Sequence, residues 1–198
     1  MTDRDPFVSA LVLAAGASRR MGRPKLLLPV EGVPMLRRVV DAALASRCLE
    51  TVVVLGADEA VYRSLLDGLP VRVVHNPEYA HGLATSLRAG VAALSPESRA
   101  VVVLLADQPW IGPDVIDTLI ETYREGGHRI VASAYAGTVG VPALFDAALF
   151  LELLTLEGDA GARTMIERYA RHGVAVPLPE ARARDVDVPE DLPESPPG

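Results

Sequence analysis

Short apolar runs alternate with longer amphipathic stretches along this chain, and the two patterns predict different elements. Short runs between turn residues predict buried strands, and longer stretches with helical periodicity predict helices. The predicted strands are Phe7 to Leu13, Thr51 to Leu55, Val71 to Val74, Ala100 to Leu105 and Arg129 to Ala134. The predicted helices are Pro34 to Ser46, Asp58 to Asp67, Leu83 to Leu94 and Pro113 to Arg124. This alternation predicts an α/β fold, a doubly wound and mostly parallel sheet with helices on both faces.

The position of the ligand follows from the predicted order of the strands. In a doubly wound sheet, ligands bind outside the carboxyl ends of the strands, where the strand order reverses. If the order is 3-2-1-4, the loops after the first and fourth predicted strands become neighbours at that edge. We therefore expect the residues that carry chemistry to lie in these two loops.

The loop after the first strand, Ala14 to Lys25, contains glycines and a cluster of basic side chains. Backbone amides freed by Gly16 and Gly22 can face an anion, and Arg20 and Lys25 add positive charge. The pattern is not a Walker loop, because no Ser or Thr follows Lys25, and it is not the G-x-G-x-x-G dinucleotide fingerprint. We predict a phosphate-binding loop. The alternative is an ordinary strand-to-helix turn with a solvated basic rim.

Composition limits the kind of partner. A chain of 198 residues, 49% of them hydrophobic, can bury one large core, so we expect a single domain over residues 1–192 and a disordered tail over residues 193–198. The formal net charge of -7 argues against a surface for nucleic acid or anionic lipid, which needs broad positive potential. The basic loop is therefore local and suits a small anion.

Cysteine usage and hydropathy exclude further classes of protein. The single cysteine, Cys48, rules out an internal disulfide and a cysteine-clustered zinc site, and we expect it to pack at the end of a helix. The chain has no apolar run long enough to span a membrane, and Met1 to Pro6 lack the order of a signal peptide. We expect no membrane partner and a soluble, cytoplasmic protein. The four histidines have no metal-ligand spacing.

Acidic residues in two places are candidate metal ligands. Asp107 follows the fourth predicted strand, where a carboxylate is costly unless it caps, pairs or binds a metal. The alternative is a turn residue before Pro109 or a helix cap. Asp185 and Asp187 lie two residues apart, so in extended chain they point the same way, and they could share a cation with Asp107 if the tail returns to the ligand edge. Such a run is otherwise a solvated tail.

These segments together resemble a known family. Leu13 to Lys25 match the pattern Leu-Ala-Ala-Gly-x-Ser-x-Arg-Met-Gly-x-x-Lys, and Ala106 to Pro109 and Asp185 to Asp191 match two further signatures in the same order. The chain resembles the MobA-like nucleotidyltransferases over Val8 to Leu192, and within them the molybdenum cofactor cytidylyltransferase branch. The resemblance implies a nucleotide-diphospho-sugar transferase-like variant of the Rossmann fold.

The resemblance also implies roles for single residues. Gly16, Ser18, Arg20 and Lys25 would hold the β- and γ-phosphates, and Arg20, Lys25 and Asp107 would be catalytic. Mg²⁺ on Asp107, with Asp185 or Asp187, would bridge the triphosphate and the acceptor. Ala14 and Ala15 resemble the CTP-using branch, since the GTP-using branch more often carries Gly-Gly there, and the extra methyl of Ala15 would favour a pyrimidine.

Three weaker segments fit the same branch. In the segment Asn76 to Ser86, a nucleotide-side loop, Asn76 would bind nucleotide, Gly82 would permit close approach, and Ser86 would start a helix whose amides face the ligand. Gly140 to Phe145, with Gly140 and Pro142, resembles the acceptor-side loop. Gly158, Asp159 and Arg163 match Leu-x-Gly-Asp-x-Gly-Ala-Arg, for which the alternative is a loop with Asp159 as helix cap.

Two positions depart from the family pattern. Val141 stands where the family often has His or Asn, so a polar group is missing beside the expected acceptor. Val188 stands where the family often has Thr, which matters less because Asp185 and Asp187 remain.

The reaction that the resemblance implies is transfer of CMP from CTP to the terminal phosphate of molybdenum-loaded molybdopterin. A molybdenum enzyme that receives the product would be a further partner. Two rival hypotheses remain. One is a nucleotidyltransferase for a sugar or polyol phosphate, and the other is a non-catalytic chaperone that binds nucleotide and cofactor.

Overall fold

A computed structural model of the chain describes residues 6–18, 22–159, 161–169, 173–188 and 191. Nine strands lie within these ranges: β1 Val8–Ala14, β2 Pro29–Val30, β3 Val33–Pro34, β4 Glu50–Leu55, β5 Arg72–His75, β6 Ala100–Leu105, β7 Ile130–Tyr135, β8 Thr138–Asp146 and β9 Val174–Pro177. The α-helices of the same ranges are α1 Met35–Ala45, α2 Glu59–Ser64, α3 Leu83–Ala92, α4 Pro113–Gly126, α5 Phe150–Leu153 and α6 Gly161–Arg168. Four short 3-10 helices are Lys25–Leu27, Tyr79–His81, Ala147–Leu149 and Glu180–Arg182.

Seven of the strands form one sheet in the order β5-β4-β1-β6-β8-β7-β9, and β2 and β3 form a separate two-stranded sheet. All pairings in the large sheet are parallel except those of β8, which runs antiparallel to β6 and to β7. The prediction of a mostly parallel α/β sheet is therefore confirmed. The first four predicted strands correspond to β1, β4, β5 and β6, and their predicted order 3-2-1-4 is also confirmed.

The strands β8 and β9 were not predicted as such. The segment Gly140 to Phe145, expected to be a loop, belongs to β8, and this expectation was wrong. Glycine and proline at Gly140 and Pro142 weaken the strand signal, and the register between β7 and β8 shifts next to Ser133. The short strand β9 ends at Pro177 and pairs in parallel with β7.

Two hydrophobic clusters cover the two faces of the sheet, because alternate residues of each strand point to opposite sides. Along β1, Val12 belongs to one cluster and Leu13 to the other, and both side chains are buried. Helices α1, α2 and α4 pack on the Val12 face, and α3, α5 and α6 pack on the Leu13 face. The predicted layers of helices on both faces are therefore present.

Two smaller predictions concern single features. Cys48 lies just after α1 and packs against the core, and burial raises the pKa of its thiol to about 11, so it is not a reactive thiolate. No helix within the described ranges is long and apolar enough to cross a membrane. The predicted disordered tail, residues 193–198, lies outside the described residues.

Candidate active site

A cavity of about 500 Å³ opens at the edge of the sheet where β1 and β6 end. The end of β1 and the loop after it line one part of the cavity, the residues after β6 line another, and the start of α3 completes it. This is the edge at which the sequence places the ligand, beside the point where the chain crosses from one side of β1 to the other.

The loop after β1 contributes Ala14, Ala15, Gly16 and Ser18 to the cavity wall. A Cβ at Gly16 would meet no atom within 4 Å, so the backbone there faces open space. Ser18 has a φ of 47°, a left-handed conformation that is uncommon outside glycine, and its Oγ accepts a hydrogen bond from the backbone N–H of Lys25 at 3.3 Å. Arg20 lies outside the described residues.

Lys25, a predicted phosphate-binding residue, contacts two of the predicted metal ligands. Its ammonium is 2.8 Å from Asp107 Oδ2 and 3.2 Å from Asp187 Oδ1, and it also donates to the Val186 carbonyl at 3.0 Å. Burial opposes the charge on Lys25, but the attraction and hydrogen bonds of Asp107 and Asp187 outweigh it, and the pKa of Lys25 is raised. All three side chains line the cavity, and we call them the charged cluster.

The C-terminal acidic segment reaches the cluster through backbone contacts. The N–H of Val186 donates to the Asp107 carbonyl at 3.0 Å, and the buried Gln108 donates through Nε2 to the Ala183 carbonyl at 3.3 Å. The Asp191 carboxylate accepts from the N–H of Asp187 at 2.8 Å. The acidic run is therefore a docked segment rather than a solvated tail.

Asp185 and Asp187 take different positions. Asp187 lines the cavity, whereas Asp185 does not and is an exposed residue. Partial desolvation of the Asp185 carboxyl, followed by repulsion from Asp107, raises its pKa. Of the two, Asp187 is the one that pairs with the Lys25 ammonium together with Asp107.

The segment Asn76 to Ser86 forms the opposite wall, but its residues act differently from the prediction. Asn76 is 2% exposed and does not line the cavity; its Nδ2 donates to Thr85 Oγ1 and Ser86 Oγ, each at 2.9 Å. Its Oδ1 accepts from the N–H of Glu78 at 3.0 Å. The expectation that Ser86 starts the helix was wrong, because α3 begins at Leu83 and Ser86 lies one turn inside it.

Gly82 makes the close approach that was expected of it, but to another loop of the protein. It has a φ of 108°, and a Cβ there would lie 2.5 Å from the Gly158 carbonyl oxygen and 2.8 Å from Asp159 Oδ1. The same Gly158 carbonyl accepts from the N–H of Ala84 at 3.0 Å. This contact brings Asp159 to the cavity wall, while Gly158 itself does not line it.

Of the predicted acceptor-side residues, Asp159 lines the cavity, whereas Gly140, Pro142 and Arg163 do not. Gly140 and Pro142 are in β8, beside the end of β6, and Arg163 is exposed on α6 with an ion pair to Glu167 at 2.9 Å. Tyr135, which the sequence did not single out, covers Gly140 and donates from Oη to the Val141 carbonyl at 3.1 Å. The Tyr135 hydroxyl therefore lies beside Val141, the position at which the family often has a polar His or Asn side chain.

Sequence reasoning also missed Tyr79 and Gly56. Tyr79 lines the cavity, and a Cβ at Gly56 would lie 2.6 Å from the Tyr79 Cβ and 2.9 Å from the Ala15 Cβ. The sequence did contain a signal for this contact, because Gly56 directly follows β4. A glycine at the end of a strand often marks a place where another group approaches the backbone closely.

A protein-family comparison agrees with this geometry. Residues 10–174 match the family described as "MobA-like NTP transferase domain". The chain belongs to this family. Its structural neighbours are nucleotidyltransferases of the nucleotide-diphospho-sugar transferase fold, as the motifs implied.

Two curated proteins that are similar to the chain are named for different activities. The chain is 34% identical to nicotine blue oxidoreductase of Paenarthrobacter nicotinovorans over 178 aligned residues. The alignment covers 85% of this chain and 86% of that protein. The chain is 24% identical to molybdenum cofactor cytidylyltransferase of Escherichia coli strain K12 over 186 aligned residues. This alignment covers 93% of each protein.

Two solved structures are similar to the chain over nearly its whole length. Rv0371c from Mycobacterium tuberculosis H37Rv superposes with a TM-score of 0.84 at 30% identity, covering 95% of this chain and 96% of that one. Its manganese complex superposes with a TM-score of 0.79 at 28% identity, covering 93% and 95%.

The donor set of the charged cluster fits a divalent cation. In the part of the chain that the structure describes, no group of three His, Cys, Asp or Glu side chains could hold a metal. Asp107 and Asp187 nevertheless already share one cation, the Lys25 ammonium, through hard oxygen atoms. Mg²⁺ is usually held by one or two carboxylates together with substrate phosphates, and Mn²⁺ also takes oxygen ligands. These two carboxylates are therefore a suitable protein contribution.

Proposed function

We propose that this MobA-like nucleotidyltransferase moves CMP from CTP to the terminal phosphate of molybdenum-loaded molybdopterin, giving molybdopterin cytosine dinucleotide and pyrophosphate. The observation that carries the proposal is the charged cluster of Lys25, Asp107 and Asp187, which lines the same cavity as the glycine-containing loop after β1. The relationship to molybdenum cofactor cytidylyltransferase supports the choice of acceptor.

The reaction needs no nucleophile from the protein. An oxygen of the acceptor phosphate forms a bond to the α-phosphorus of CTP, the bond from that phosphorus to the β-phosphate oxygen breaks, and pyrophosphate leaves. The protein has to align the two phosphates and compensate the negative charge that gathers between them. A bound Mg²⁺, held by Asp107 and Asp187, would supply part of this compensation.

The residues of the chain supply the rest. Backbone amides at Gly16 and the hydroxyl of Ser18 would bind the β- and γ-phosphates from the loop after β1, with Arg20 as a further donor. The raised pKa of Lys25 keeps its ammonium charged at neutral pH, so it can exchange its carboxylate partners for phosphate oxygens. Its three partners in the free protein hold it at the cavity until the nucleotide enters.

Base selection would come from the end of β1. Ala15 is 5% exposed, lines the cavity and packs directly above Gly56, so it cannot move away from a base. Its methyl group narrows the site and favours a pyrimidine over a purine by about 1 to 3 kcal/mol, the usual value for one such group.

The acceptor would lie on the side of β8, next to Asp107. Val103 of β6 pairs with Ala143 of β8, and because β8 runs antiparallel to β6, Pro142 and Gly140 continue from that pair towards the carboxyl end of β6. The Tyr135 hydroxyl and the exposed Arg163 are polar groups on this side, and they could contact the acceptor phosphate and ring.

The proposal is tested by pyrophosphate release from the purified protein with Mg²⁺, molybdenum-loaded molybdopterin and either CTP or GTP. We expect release with CTP, at least tenfold less with GTP, and loss of release in Asp107→Asn. Release only with a sugar or polyol phosphate would overturn the acceptor, and CTP binding without release would indicate a carrier.

The relationship to nicotine blue oxidoreductase favours a redox reaction as a second candidate. The loop after β1 has no G-x-G-x-x-G fingerprint, so we expect no oxidation of NADH or NADPH in the same preparation. Oxidation of either cofactor at a rate above that of pyrophosphate release would overturn the transferase proposal.

A further inference from the structure

The cavity has an apolar, aromatic region besides its charged cluster. Tyr79, Ala80 and Leu83, from the segment between β5 and α3, line it together with Ala15 at the end of β1. Leu83 is 38% exposed and Tyr79 is half-buried, so both side chains leave apolar surface accessible. Accessible apolar surface in a groove is a common sign of ligand contact, and phosphate oxygens have no use for it.

The order of the strands separates this region from the charged cluster. β4 and β6 flank β1 on its two sides. Tyr79 packs over Gly56, which directly follows β4, whereas Asp107 lies just after β6. Neighbouring strands are about 4.8 Å apart, so the ends of β4 and β6 lie about 10 Å apart. A ligand that reaches both carries a flat apolar group at one end and negative charge at the other, as a nucleoside triphosphate does.

Tyr79 is held against Ala15, the residue that would contact the base. A Cβ at Gly56 would lie 2.6 Å from Cβ and 2.8 Å from Cγ of Tyr79, and 2.9 Å from Cβ of Ala15. Both side chains therefore crowd the same point, and glycine is the residue that leaves room for them. Because the root of the Tyr79 ring is fixed before a ligand arrives, little side-chain entropy is lost on binding.

The other flat ring of the proposed reaction is the pterin of the acceptor. The acceptor would lie on the side of β8, and β8 follows β6 on the side away from β1 and β4. Tyr79 lies on the β4 side of β1. The nucleotide base is therefore the ring within its reach.

We propose that Tyr79 is a base-binding residue of this protein, whose ring stacks on the cytosine base while the phosphates lie at the charged cluster. The inference rests on the proposed function only in requiring that CTP binds in this cavity. Every base has a π-face, so stacking strengthens binding of the nucleoside without selecting a pyrimidine. The choice of base stays with Ala15, and Tyr79 determines how tightly the base is held.

The first test removes the ring and keeps an apolar side chain, in Tyr79→Leu. The probes are CTP and inorganic tripolyphosphate, each with Mg²⁺, and Kd is measured by titration calorimetry. We expect the Kd of CTP to rise about tenfold, as for the loss of one stacked ring, and that of tripolyphosphate, which has no base, to stay within about twofold. Tyr79→Phe restores the ring and should recover most of the loss.

The matched control is Tyr169→Leu. Tyr169 is also half-buried and packs against the same hydrophobic cluster as Tyr79, but it does not line the cavity. We expect wild-type Kd for both probes in this variant. A tenfold weaker binding of CTP in Tyr169→Leu as well would overturn the inference, because loosened packing would then explain the effect of Tyr79→Leu.

Nuclear magnetic resonance of bound CTP gives a signature that a purely structural role would not produce. A base stacked on an aromatic ring has its cytosine H5 and H6 resonances shifted upfield by the ring current. We expect this shift with the wild type and Tyr79→Phe, and its loss with Tyr79→Leu. No upfield shift with the wild type would overturn the inference, whatever the variants do.

The remaining outcomes separate the inference from the proposed function. Wild-type CTP binding in Tyr79→Leu, or an equal loss for CTP and tripolyphosphate, would overturn the inference. Neither probe needs an acceptor. A protein that stacks CTP on Tyr79 but releases no pyrophosphate with molybdenum-loaded molybdopterin would therefore overturn the proposed function alone.

Discussion

The two walls of the cavity are held by different forces. The segment Asn76 to Ser86 is held by neutral, buried hydrogen bonds from Asn76 and by the close contact of Gly82 with Gly158. On the opposite wall, the charged cluster is held by the ammonium of Lys25 between two carboxylates that are 25% and 37% exposed. The first wall is a permanent part of the packed protein, whereas the second can exchange its partners.

Because of this difference, we expect the first wall to contribute to stability and the second to contribute to ligand binding. A neutral buried network loses stability when any member is removed, because the remaining groups are left unpaired. A partly exposed charged cluster contributes little to stability, but it can release its internal cation and accept another. Changes in the first wall should therefore alter the free energy of unfolding, and changes in the second should alter binding of cations and phosphates.

The largest expected effect is that of Gly82→Ala. A Cβ there would lie 2.5 Å from the Gly158 carbonyl oxygen at a φ of 108°, so we expect a loss of about 3 kcal/mol or more in the free energy of unfolding, measured with urea. The matched control is Gly68→Ala, which has a φ of 77° and no atom within 4 Å of the new Cβ. It should cost about 1 kcal/mol. Equal losses in both variants would show that the contact between the loops is unimportant.

Asn76→Ala should have the next largest effect. It removes two donated and one accepted hydrogen bond in a buried position, and we expect a loss of about 2 to 3 kcal/mol in the free energy of unfolding. Since every partner is neutral, the loss should be the same in low and high salt. A loss that shrinks as salt is added would contradict the neutral character of this wall.

The next prediction concerns which of two carboxylates in the C-terminal segment binds a divalent cation. It compares Asp187→Asn with Asp185→Asn. Asp187 shares the Lys25 ammonium with Asp107, and Asp185 does not line the cavity. We expect Asp187→Asn to weaken Mn²⁺ binding in the presence of CTP about tenfold, and Asp185→Asn to weaken it less than threefold. Electron paramagnetic resonance of free Mn²⁺ measures both. The reverse order would make Asp185 the cation-binding residue.

The smallest expected effect is the pH dependence of the charged cluster. The pKa of Lys25 is raised above its ordinary value of 10.5, so the stability from its ion pairs is fully present below that pH and is lost as pH rises through the folded pKa. The contribution should be at most about 1 kcal/mol because the carboxylates are partly exposed. The free energies of unfolding of the wild type and Lys25→Met, measured with urea, should differ at pH 8, and the difference should shrink as the pH rises above 10.5. If the difference in the free energy of unfolding stayed the same at all pH values, the contribution of Lys25 would come from packing and not from its charge.

The parts of the site that the sequence predicted are those with local signals. The loop after β1 and Asp107 after β6 each follow a continuous apolar run, and parallel strands bring their carboxyl ends to one edge. The role of Asn76 and the position of Tyr135 were not predictable in this way. Whether an amide or a phenol is buried depends on which helices pack over it, and this packing has no local signature in the chain.

The strand β8 shows the same limit for the fold. Its glycine and proline resemble a loop, and only the pairing with β6 and β7 on both sides makes it a strand. The docking of Asp187 was likewise predicted only as a condition, that the tail returns to the ligand edge. The contacts of Val186 and Gln108 that meet this condition involve backbone groups, which no side-chain pattern reveals.

The distances along the chain between members of the charged cluster have a consequence for the order of folding. Lys25 and Asp107 are 82 positions apart, and Lys25 and Asp187 are 162 positions apart. Contacts between such distant positions form late, because closing a long loop costs entropy before the contact compensates it. During synthesis on the ribosome, we therefore expect β1, β4 and β6 to pair while Asp187 is still untranslated. The nascent chain would acquire its sheet first and its ability to bind a divalent cation last.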